Sequence, residues 1–239
     1  MRVLLASDLH YQLRQYDWLI AVAPQFDAVV IAGDHLDASL AVPGAVQIVA
    51  LRASFAAIAQ RSRLLVCSGN HDLNARSLAG EKTADWLAAA RGEALAVDGD
   101  SMELGDTLFT VCPWWDGPQA RADVEALLAR AAARRRGRWV RVYHAPPLGP
   151  LSWTGKRHFG DPLLPDLIER YAPSAVLCGH IHEAPFKRAG GWADKLGNTW
   201  LFNPGRQIGE VPAHVVIDFS QGLASWISLA GFEERTLDV

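Results

Sequence analysis

The chain has little cysteine, no long apolar run and almost no excess of charge of either sign. Its 239 residues contain three cysteines, Cys67, Cys112 and Cys178, each in or beside an apolar stretch. An odd number of such thiols argues against a disulfide framework and is typical of reduced proteins inside the cell. No apolar run approaches the roughly 20 residues that cross a bilayer, and the stretch before Asp8 is too short for a signal peptide. We therefore expect a cytoplasmic protein with no membrane partner.

The charge balance also gives no general attraction to nucleic acid. Lysine and arginine number 23, aspartate and glutamate number 26, and the formal net charge is -3. The one basic cluster, "RRRGRWVR" at 134–141, ends a predicted helix and begins a predicted strand. At about 3.3 Å per residue, Arg138 lies about 20 Å from the far end of that strand, where His144 follows. A nucleic-acid partner is therefore unexpected.

Short apolar runs alternate with segments of helical period along most of the chain. The runs predict buried strands at 2–7, 27–33, 63–69, 139–144 and 174–180. The segments between them predict helices at about 14–23, 44–60, 82–91, 118–135 and 162–171. A hairpin over 101–115 turns at Gly105-Asp106, and the last stretch is mostly strand. Together they predict one domain over 1–239, a layered α/β/β/α sandwich of two mixed sheets flanked by helices, with the first sheet mostly parallel.

Polar residues follow five of the predicted strands at the point where each strand ends. They are Asp8, Asp34, Asn70, His144 and His180. Open α/β sheets collect their ligands in the crevice outside the carboxyl ends of the strands, so we expect these side chains to converge. Carboxylates and imidazoles without cysteine suit Mn, Fe or Zn in a site that is not a structural zinc site.

These positions lie within five short motifs. In chain order the motifs are D-x-H (Asp8, His10), G-D-x-x-D (Gly33, Asp34, Asp37), G-N-H-D (Gly69 to Asp72), a lone His144, and G-H-x-H (Gly179 to His182). Residues two apart in an extended segment point to the same side, and each glycine lets the backbone turn sharply. One such motif is weak evidence, but five in order at strand ends predict a metal centre.

The ordered set resembles the calcineurin-like metallophosphoesterase superfamily, and the resemblance spans Asp8 to His182. It implies two divalent cations, with manganese favoured. One would be bound by Asp8, His10 and His182, the other by Asn70, His144 and His180, and Asp34 would bridge them. It also implies that His71 donates a proton to the leaving group and that Asp37 orients His71. A hydroxide formed at the metal centre would then attack phosphorus in line.

The details of the motifs favour one branch of that superfamily. Its protein Ser/Thr phosphatases carry Arg-Gly after G-D-x-x-D, whereas Ala38 and Ser39 follow here, and "GNHD" replaces their "GNHE". The pattern is more similar to small bacterial-type phosphodiesterases. Two divalent ions, two aspartates and one hydroxide leave about +1 at the centre, which suits an anionic substrate. We therefore expect hydrolysis of a small-molecule or nucleotide phosphodiester.

Two other functions fit the same resemblance. A nuclease acting on DNA or RNA ends is disfavoured by the acidic composition and by the lack of a basic stretch near the motifs. A non-catalytic scaffold is disfavoured because His71 and all the implied ligands are present. The oligomeric state stays open.

Substrate contacts are expected in one long loop and in one later segment. The loop at 146–162 directly follows His144 and is punctuated by glycine and proline, as functional loops often are. Its candidate contacts are Trp153, Lys156, Arg157 and His158, and Arg206 in "FNPGR" is a further one. Asp72 is interpreted as a helix or turn cap, His35 as a locally bonded residue and His214 as a strand residue.

Overall fold

Strands and helices alternate along the first three quarters of the chain and strands follow to the end, in a computed structural model that describes residues 1–238. The strands are β1 Arg2–Ala6, β2 Ala28–Ala32, β3 Arg63–Cys67, β4 Ala75–Arg76, β5 Lys82–Thr83, β6 Leu95–Ala96, β7 Ser101–Leu104, β8 Thr107–Val111, β9 Arg138–Val142, β10 Ala175–Leu177, β11 Ala193–Leu196, β12 Thr199–Phe202, β13 His214–Asp218, β14 Leu223–Ser228 and β15 Gly231–Thr236. The α-helices are α1 Leu13–Val22, α2 Gly44–Ala59, α3 Asp85–Ala88, α4 Pro118–Arg134 and α5 Leu164–Tyr171.

Two large sheets form the centre of the fold. The first has the strand order β15-β14-β13-β1-β2-β3-β6, and the second has the order β11-β12-β10-β9-β8-β7. Strands β1, β2, β3 and β6 are parallel in the first sheet. Strands β8, β9, β10 and β12 are parallel in the second. Parallel neighbours end at the same edge, so the loops after β1 to β3 and after β8 to β10 emerge in two groups.

Side-chain alternation along the strands divides the apolar residues among three cores. Val3 of β1 and Val140 of β9 belong to the core between the two sheets. Leu4 packs with α1 and α2 on the outer face of the first sheet. Trp139 packs with α4 and α5 on the outer face of the second sheet. The predicted α/β/β/α sandwich of two mixed sheets is therefore confirmed.

Four of the five predicted helices are confirmed to within two residues at each end. The helix expected at 82–91 is wrong, because only Asp85–Ala88 is helical and β5 pairs antiparallel with β4. The Glu81 carboxylate accepts hydrogen bonds from the backbone N–H groups of Gln119 and Ala120, at 2.8 and 2.7 Å. These bonds to the start of α4 hold the segment extended. Within residues 1–238, no helix is long and apolar enough to cross a membrane.

The first sheet is less parallel than expected. Strands β13, β14 and β15 join it as antiparallel neighbours of β1 and of one another. Only short turns separate β13 from β14 and β14 from β15, and a short turn can connect only antiparallel strands. The predicted hairpin at Gly105-Asp106 is confirmed as the turn between β7 and β8.

Candidate metal centre

The loops after β1, β2 and β10 hold polar side chains on an unusual backbone. Asp8, His10, Asp34 and His180 have φ angles of 56°, 42°, 55° and 71°, a region that residues other than glycine seldom adopt. Backbone bonds join the first two loops, since His10 N–H donates to the Asp34 carbonyl oxygen at 3.0 Å. Strained residues of this kind gather at functional sites, where the surrounding fold holds them in place.

Four side chains from three loops form the first ligand group. It contains Asp8, His10, Asp34 and His182, whose donor atoms all lie within 4.8 Å of one another. His182 Nε2 lies 3.2 Å from Asp8 Oδ1 and 3.2 Å from His10 Nε2. His10 Nε2 lies 3.7 Å from Asp34 Oδ2. Two imidazoles and two carboxylates thus point into one small volume, a donor set that suits Mn, Fe or Zn.

A second ligand group shares Asp34 with the first. Its donor atoms, from Asp34, His144 and His180, also lie within 4.8 Å of one another. His144 Nε2 lies 3.3 Å from Asp34 Oδ2 and 3.9 Å from Asp8 Oδ1. The backbone N–H of His180 donates to the two Asp8 carboxylate oxygens at 3.1 and 2.9 Å. A carboxylate that belongs to both groups can bridge two cations.

His144 gives the clearest test of whether the residues fit a cation. It is fully buried, and its Nδ1–H donates to the Ala32 carbonyl oxygen at 2.7 Å. Its Nε2 is buried and makes no hydrogen bond within residues 1–238. Buried polar atoms nearly always have a partner, and metal-binding histidines typically donate their other N–H to a carbonyl or carboxylate. His144 therefore fits the role of a metal ligand.

Burial and neighbouring charges set the protonation of the site. Burial raises the pKa of Asp34, but the adjacent His144 lowers it well below its ordinary value. Burial lowers the pKa of His144, but Asp34 and Asp8 raise it to about 9. Burial lowers the pKa of His10 and of His180 to about 4, so both imidazoles are neutral at pH 7. The two aspartates thus favour a positive charge at this place, carried by a proton on His144 or by a bound cation. The neutral imidazoles of His10 and His180 are available as ligands.

Glycines allow the ligand loops to approach one another. A Cβ at Gly69 would lie within 3.0 Å of Asp34 and of His144 Nε2. A Cβ at Gly179 would lie within 3.0 Å of Asp8 Oδ2. The glycines of the G-N-H-D and G-H-x-H motifs are therefore required because a larger side chain would not fit there.

Asp72 has a larger structural role than the predicted turn cap. Its buried carboxylate accepts backbone N–H bonds from Asp34, His35, Leu36 and Gly69 at 2.9, 2.8, 3.0 and 2.8 Å. One side chain thus fastens the loop after β2 to the loop after β3. It fixes the position of Asp34 relative to the "GNHD" segment.

Two histidines outside the ligand groups have the local roles that were expected. His35 is fully buried; its Nε2 donates to the Cys67 carbonyl oxygen at 2.9 Å and its Nδ1 lies 3.2 Å from the Tyr16 hydroxyl. His214 lies in β13, with Nδ1 donating to the Pro212 carbonyl oxygen at 2.9 Å.

His71 lies at the open side of the first ligand group. Its side chain is 43% exposed, and its Nε2 lies 3.9 Å from Asp34 Oδ2. Its ring centroid is 4.9 Å from that of His10. The backbone N–H of His71 donates to Asp34 Oδ1 at 3.0 Å. The backbone of His71 is therefore held beside the ligand groups, and its imidazole is accessible from solvent.

Asp37 and Asn70, unlike His71, have no contact with the ligand groups through a hydrogen bond in the part of the chain that the structure describes. Asp37 Oδ1 accepts from the backbone N–H of Ser39 at 2.8 Å and from the Ser39 hydroxyl. Within residues 1–238, Asp37 makes no hydrogen bond to His71, whose neighbouring carboxylate is that of Asp34. Asn70 lies between Gly69 and His71 with an exposed side chain.

Arg206 lies close enough to the first ligand group to influence its charge. Burial lowers the pKa of His10 and the two aspartates oppose this, while the Arg206 guanidinium lowers the pKa further. The same guanidinium opposes protonation of His182, whose pKa burial lowers and Asp8 raises. The Arg206 backbone N–H donates to the His182 carbonyl oxygen at 3.1 Å. This predicted substrate contact is thus beside the ligands.

The four candidates in the 146–162 loop contact mainly their own loop. Trp153 and His158 face each other across an isolated bridge, with ring centroids 4.9 Å apart. The Arg157 guanidinium stacks over Phe159 at 3.9 Å, and Lys156 is exposed at the tip. Within residues 1–238, no hydrogen bond or ion pair joins these four residues to either ligand group.

Trp114 borders the second ligand group and was not among the predicted site residues. Its ring centroid lies 5.8 Å from that of His144 and 5.4 Å from that of His180. Trp114 follows β8, which runs parallel to β9. Because parallel strands end at the same edge, the segment after β8 lies beside His144, which follows β9. The position of "CPWW" directly after a strand could therefore have predicted that Trp114 lies at the site.

The chain belongs to the calcineurin-like phosphoesterase family, whose model matches residues 1–184. The match includes every motif between Asp8 and His182, so the resemblance drawn from those motifs is confirmed. A comparison with curated protein sequences finds no match.

Solved structures with the same fold come from distant relatives. One is the protein TT1561 of Thermus thermophilus, with 16% identity and a TM-score of 0.60 over 98% of each chain. Another is a dimetal phosphatase from Danio rerio, with 11% identity and a TM-score of 0.59 over 95% of each chain. The purple acid phosphatase PPD1 from yellow lupin seeds has 14% identity and a TM-score of 0.61, covering 99% of this chain and 51% of its own. At these identities the similarity concerns the fold.

Proposed function

We propose that this phosphoesterase is a cytoplasmic phosphodiesterase that hydrolyses a small-molecule or nucleotide phosphodiester with two divalent cations, Mn²⁺ being favoured. The observation that supports it best is that Asp34 belongs to both ligand groups. A shared carboxylate is the usual bridge of a two-metal site. Membership of a phosphoesterase family agrees with this class of reaction.

The residues divide into two ligand sets. Asp8, His10, Asp34 and His182 would hold one cation, and Asp34, Asn70, His144 and His180 would hold the other. Asn70 joins the second set if its exposed side chain turns toward His144. Two cations bound there would make hydroxide available near neutral pH and would neutralise charge on the phosphate oxygens.

His71 is the proposed general acid. An alkoxide leaving group needs a proton, and this requirement is greatest for diesters with poor leaving groups. The His71 ring is accessible at the rim, 3.9 Å from Asp34, and so can face the departing oxygen. The backbone bond to Asp34 holds the main chain of His71 at this place.

Arg206 is the proposed contact for the negative charge of the substrate. Its backbone N–H donates to the His182 carbonyl oxygen at 3.1 Å, and its guanidinium opposes protonation of His10 and of His182, which places it on the side of the first ligand group. A guanidinium offers paired donors that match two phosphate oxygens. The net positive character of a two-cation site would act in the same direction.

The test is hydrolysis of bis(p-nitrophenyl) phosphate and of p-nitrophenyl phosphate by protein supplied with Mn²⁺. The His71→Ala variant and a metal-stripped sample serve as controls, and bound metal is counted by elemental analysis. We expect two equivalents of metal, faster hydrolysis of the diester than of the monoester, and a large rate loss in the variant.

The other outcomes separate the alternatives. A preference for the monoester would replace the phosphodiesterase with a phosphatase. Hydrolysis of neither ester by protein that holds two metal ions would favour a non-catalytic scaffold. Salt-sensitive cleavage of DNA or RNA ends, with little activity on either ester, would favour the nuclease.

A further inference from the structure

We infer that Trp114 determines substrate specificity by stacking against a planar aromatic group, such as a nucleobase, carried by the phosphodiester. The inference rests on the proposed function and names a substrate class for it. The indole lies beside both histidines that belong only to the second ligand group, with centroid separations of 5.8 and 5.4 Å. A substituent on a phosphate held by that group therefore passes close to the indole.

The hydrogen bonding of Trp114 differs from that of the four buried tryptophans. Trp86, Trp139, Trp192 and Trp226 are buried, and the indole N–H of each donates to an oxygen at 2.9 to 3.0 Å. Trp114 is only half-buried, and its indole N–H makes no hydrogen bond within residues 1–238. Trp114 thus packs against the core on the outer face of the second sheet and keeps part of its surface open to solvent, next to two histidines of the second ligand group.

The orientation of the indole is set before any ligand arrives. Its ring packs near-parallel to Tyr143, with centroids 6.4 Å apart and planes at 20°. Tyr143 in turn stacks on Trp115 at 4.0 Å and 12°. The backbone N–H of Trp114 donates to the Ser68 hydroxyl at 2.9 Å, and Ser68 directly precedes the "GNHD" segment. A rigid aromatic surface loses little side-chain entropy on binding, so stacking on it is effective.

The site therefore has two chemically different sides. Trp114 borders the second ligand group, and Arg206 adjoins the first, since its backbone N–H donates to the His182 carbonyl oxygen at 3.1 Å. An aromatic group would lie toward the indole and negative charge toward the guanidinium. A nucleotide-like phosphodiester has both features. Loss of one base-stacking residue lowers affinity by about ten-fold or more in other proteins.

The experiment measures binding of two sugar phosphates to Mn²⁺-loaded protein by calorimetry: adenosine 5′-monophosphate, which carries adenine at C1′, and ribose 5-phosphate, which carries a hydroxyl group there. We expect the nucleotide to bind about ten-fold more tightly, and Trp114→Ala to remove that preference without weakening ribose 5-phosphate. Trp114→Phe should retain most of it. Trp18→Ala is the matched control, because Trp18 is also half-buried and packs on a histidine, His214, outside the ligand groups.

Several results would overturn the inference. An equal loss of both phosphates in Trp114→Ala, or an unchanged nucleotide preference, would leave Trp114 with a structural role only. Loss of the preference in Trp153→Ala alone would move the aromatic contact to the 146–162 loop. Wild-type protein that cleaves bis(p-nitrophenyl) phosphate but binds both phosphates equally contradicts the role of Trp114 and leaves the proposed function standing. Protein that holds metal but neither binds a phosphate nor cleaves an ester contradicts both.

Discussion

The imidazole of His144 meets the carboxylate of Asp34 at 3.3 Å, between loops that belong to different sheets. The contact keeps the pKa of Asp34 well below its ordinary value against the effect of burial, and it helps to raise that of His144 to about 9. The two sheets are joined at this edge by the ligands of the candidate metal centre.

The Asp34→Asn variant should lose metal as well as activity. Both ligand groups contain this carboxylate, so its loss weakens both sites at once. We expect bound Mn²⁺ to fall from two equivalents to less than one, measured by elemental analysis after dialysis. Two tightly bound ions in this variant would show that Asp34 does not bridge them.

The His71→Ala variant should keep its metal and its fold but lose rate. The side chain is 43% exposed, so its removal costs little stability. General-acid loss typically costs about 10²–10⁴-fold in rate, and the cost grows as the leaving group becomes more basic. The measurement is a series of diesters with leaving groups of increasing pKa. A uniform rate loss across the series would argue against proton donation by His71.

The Asp72→Ala variant should be strongly destabilised although Asp72 is not a proposed ligand. Four backbone N–H groups in a buried region would lose their acceptor. We expect a loss of about 3–5 kcal/mol in the free energy of unfolding, measured by urea denaturation. Asp85→Ala, at an exposed position, is the control and should change stability by less than about 1 kcal/mol. A small loss of unfolding free energy in Asp72→Ala would mean that water accepts the hydrogen bonds of these four N–H groups in place of the carboxylate.

The Gly69→Ala variant should lose metal binding through crowding. The added methyl group would lie within 3.0 Å of Asp34 and His144, which cannot both keep their positions. Gly44→Ala is the matched control, because no atom lies within 4 Å of a Cβ there and Gly44 begins α2. Titration with Mn²⁺ should show weakened binding only in the first variant. Normal binding in both variants would show that the loops can separate at no cost.

The Asp98→Asn variant should change how stability depends on pH. Desolvation raises the pKa of Asp98 from 3.8 to about 7 in the folded protein. Between these values the folded state holds a proton that the unfolded chain releases, so stability falls as pH rises through this window. The variant lacks this loss, and its stability relative to wild type should rise from pH 4 to pH 7. The expected gain is about 1–2 kcal/mol, because solvent still reaches part of the side chain. A difference that is constant with pH would contradict the shifted pKa.

Local sequence patterns were sufficient to predict the layers and to predict that most of the candidate ligands lie close together. Short apolar runs between amphipathic segments specify parallel strands covered by helices, and the residues just past such strands are brought to one edge. Asp8, Asp34, His144 and His180 are placed beside one another by this rule alone. The helix expected at 82–91 failed because Glu81 binds the start of α4, a contact that no local propensity encodes.

Tertiary structure decided what surrounds the ligands. The sequence predicts a turn cap at Asp72, and only the folded chain brings the loop after β2 to its carboxylate. Trp114 follows β8, whereas His144 follows β9, and Asp37 bonds to Ser39 instead of His71. The sequence by itself determined which side chains could bind metal, because strand ends and residue chemistry are local properties. The packing of two sheets determined which groups neighbour them, because those contacts join segments far apart in the chain.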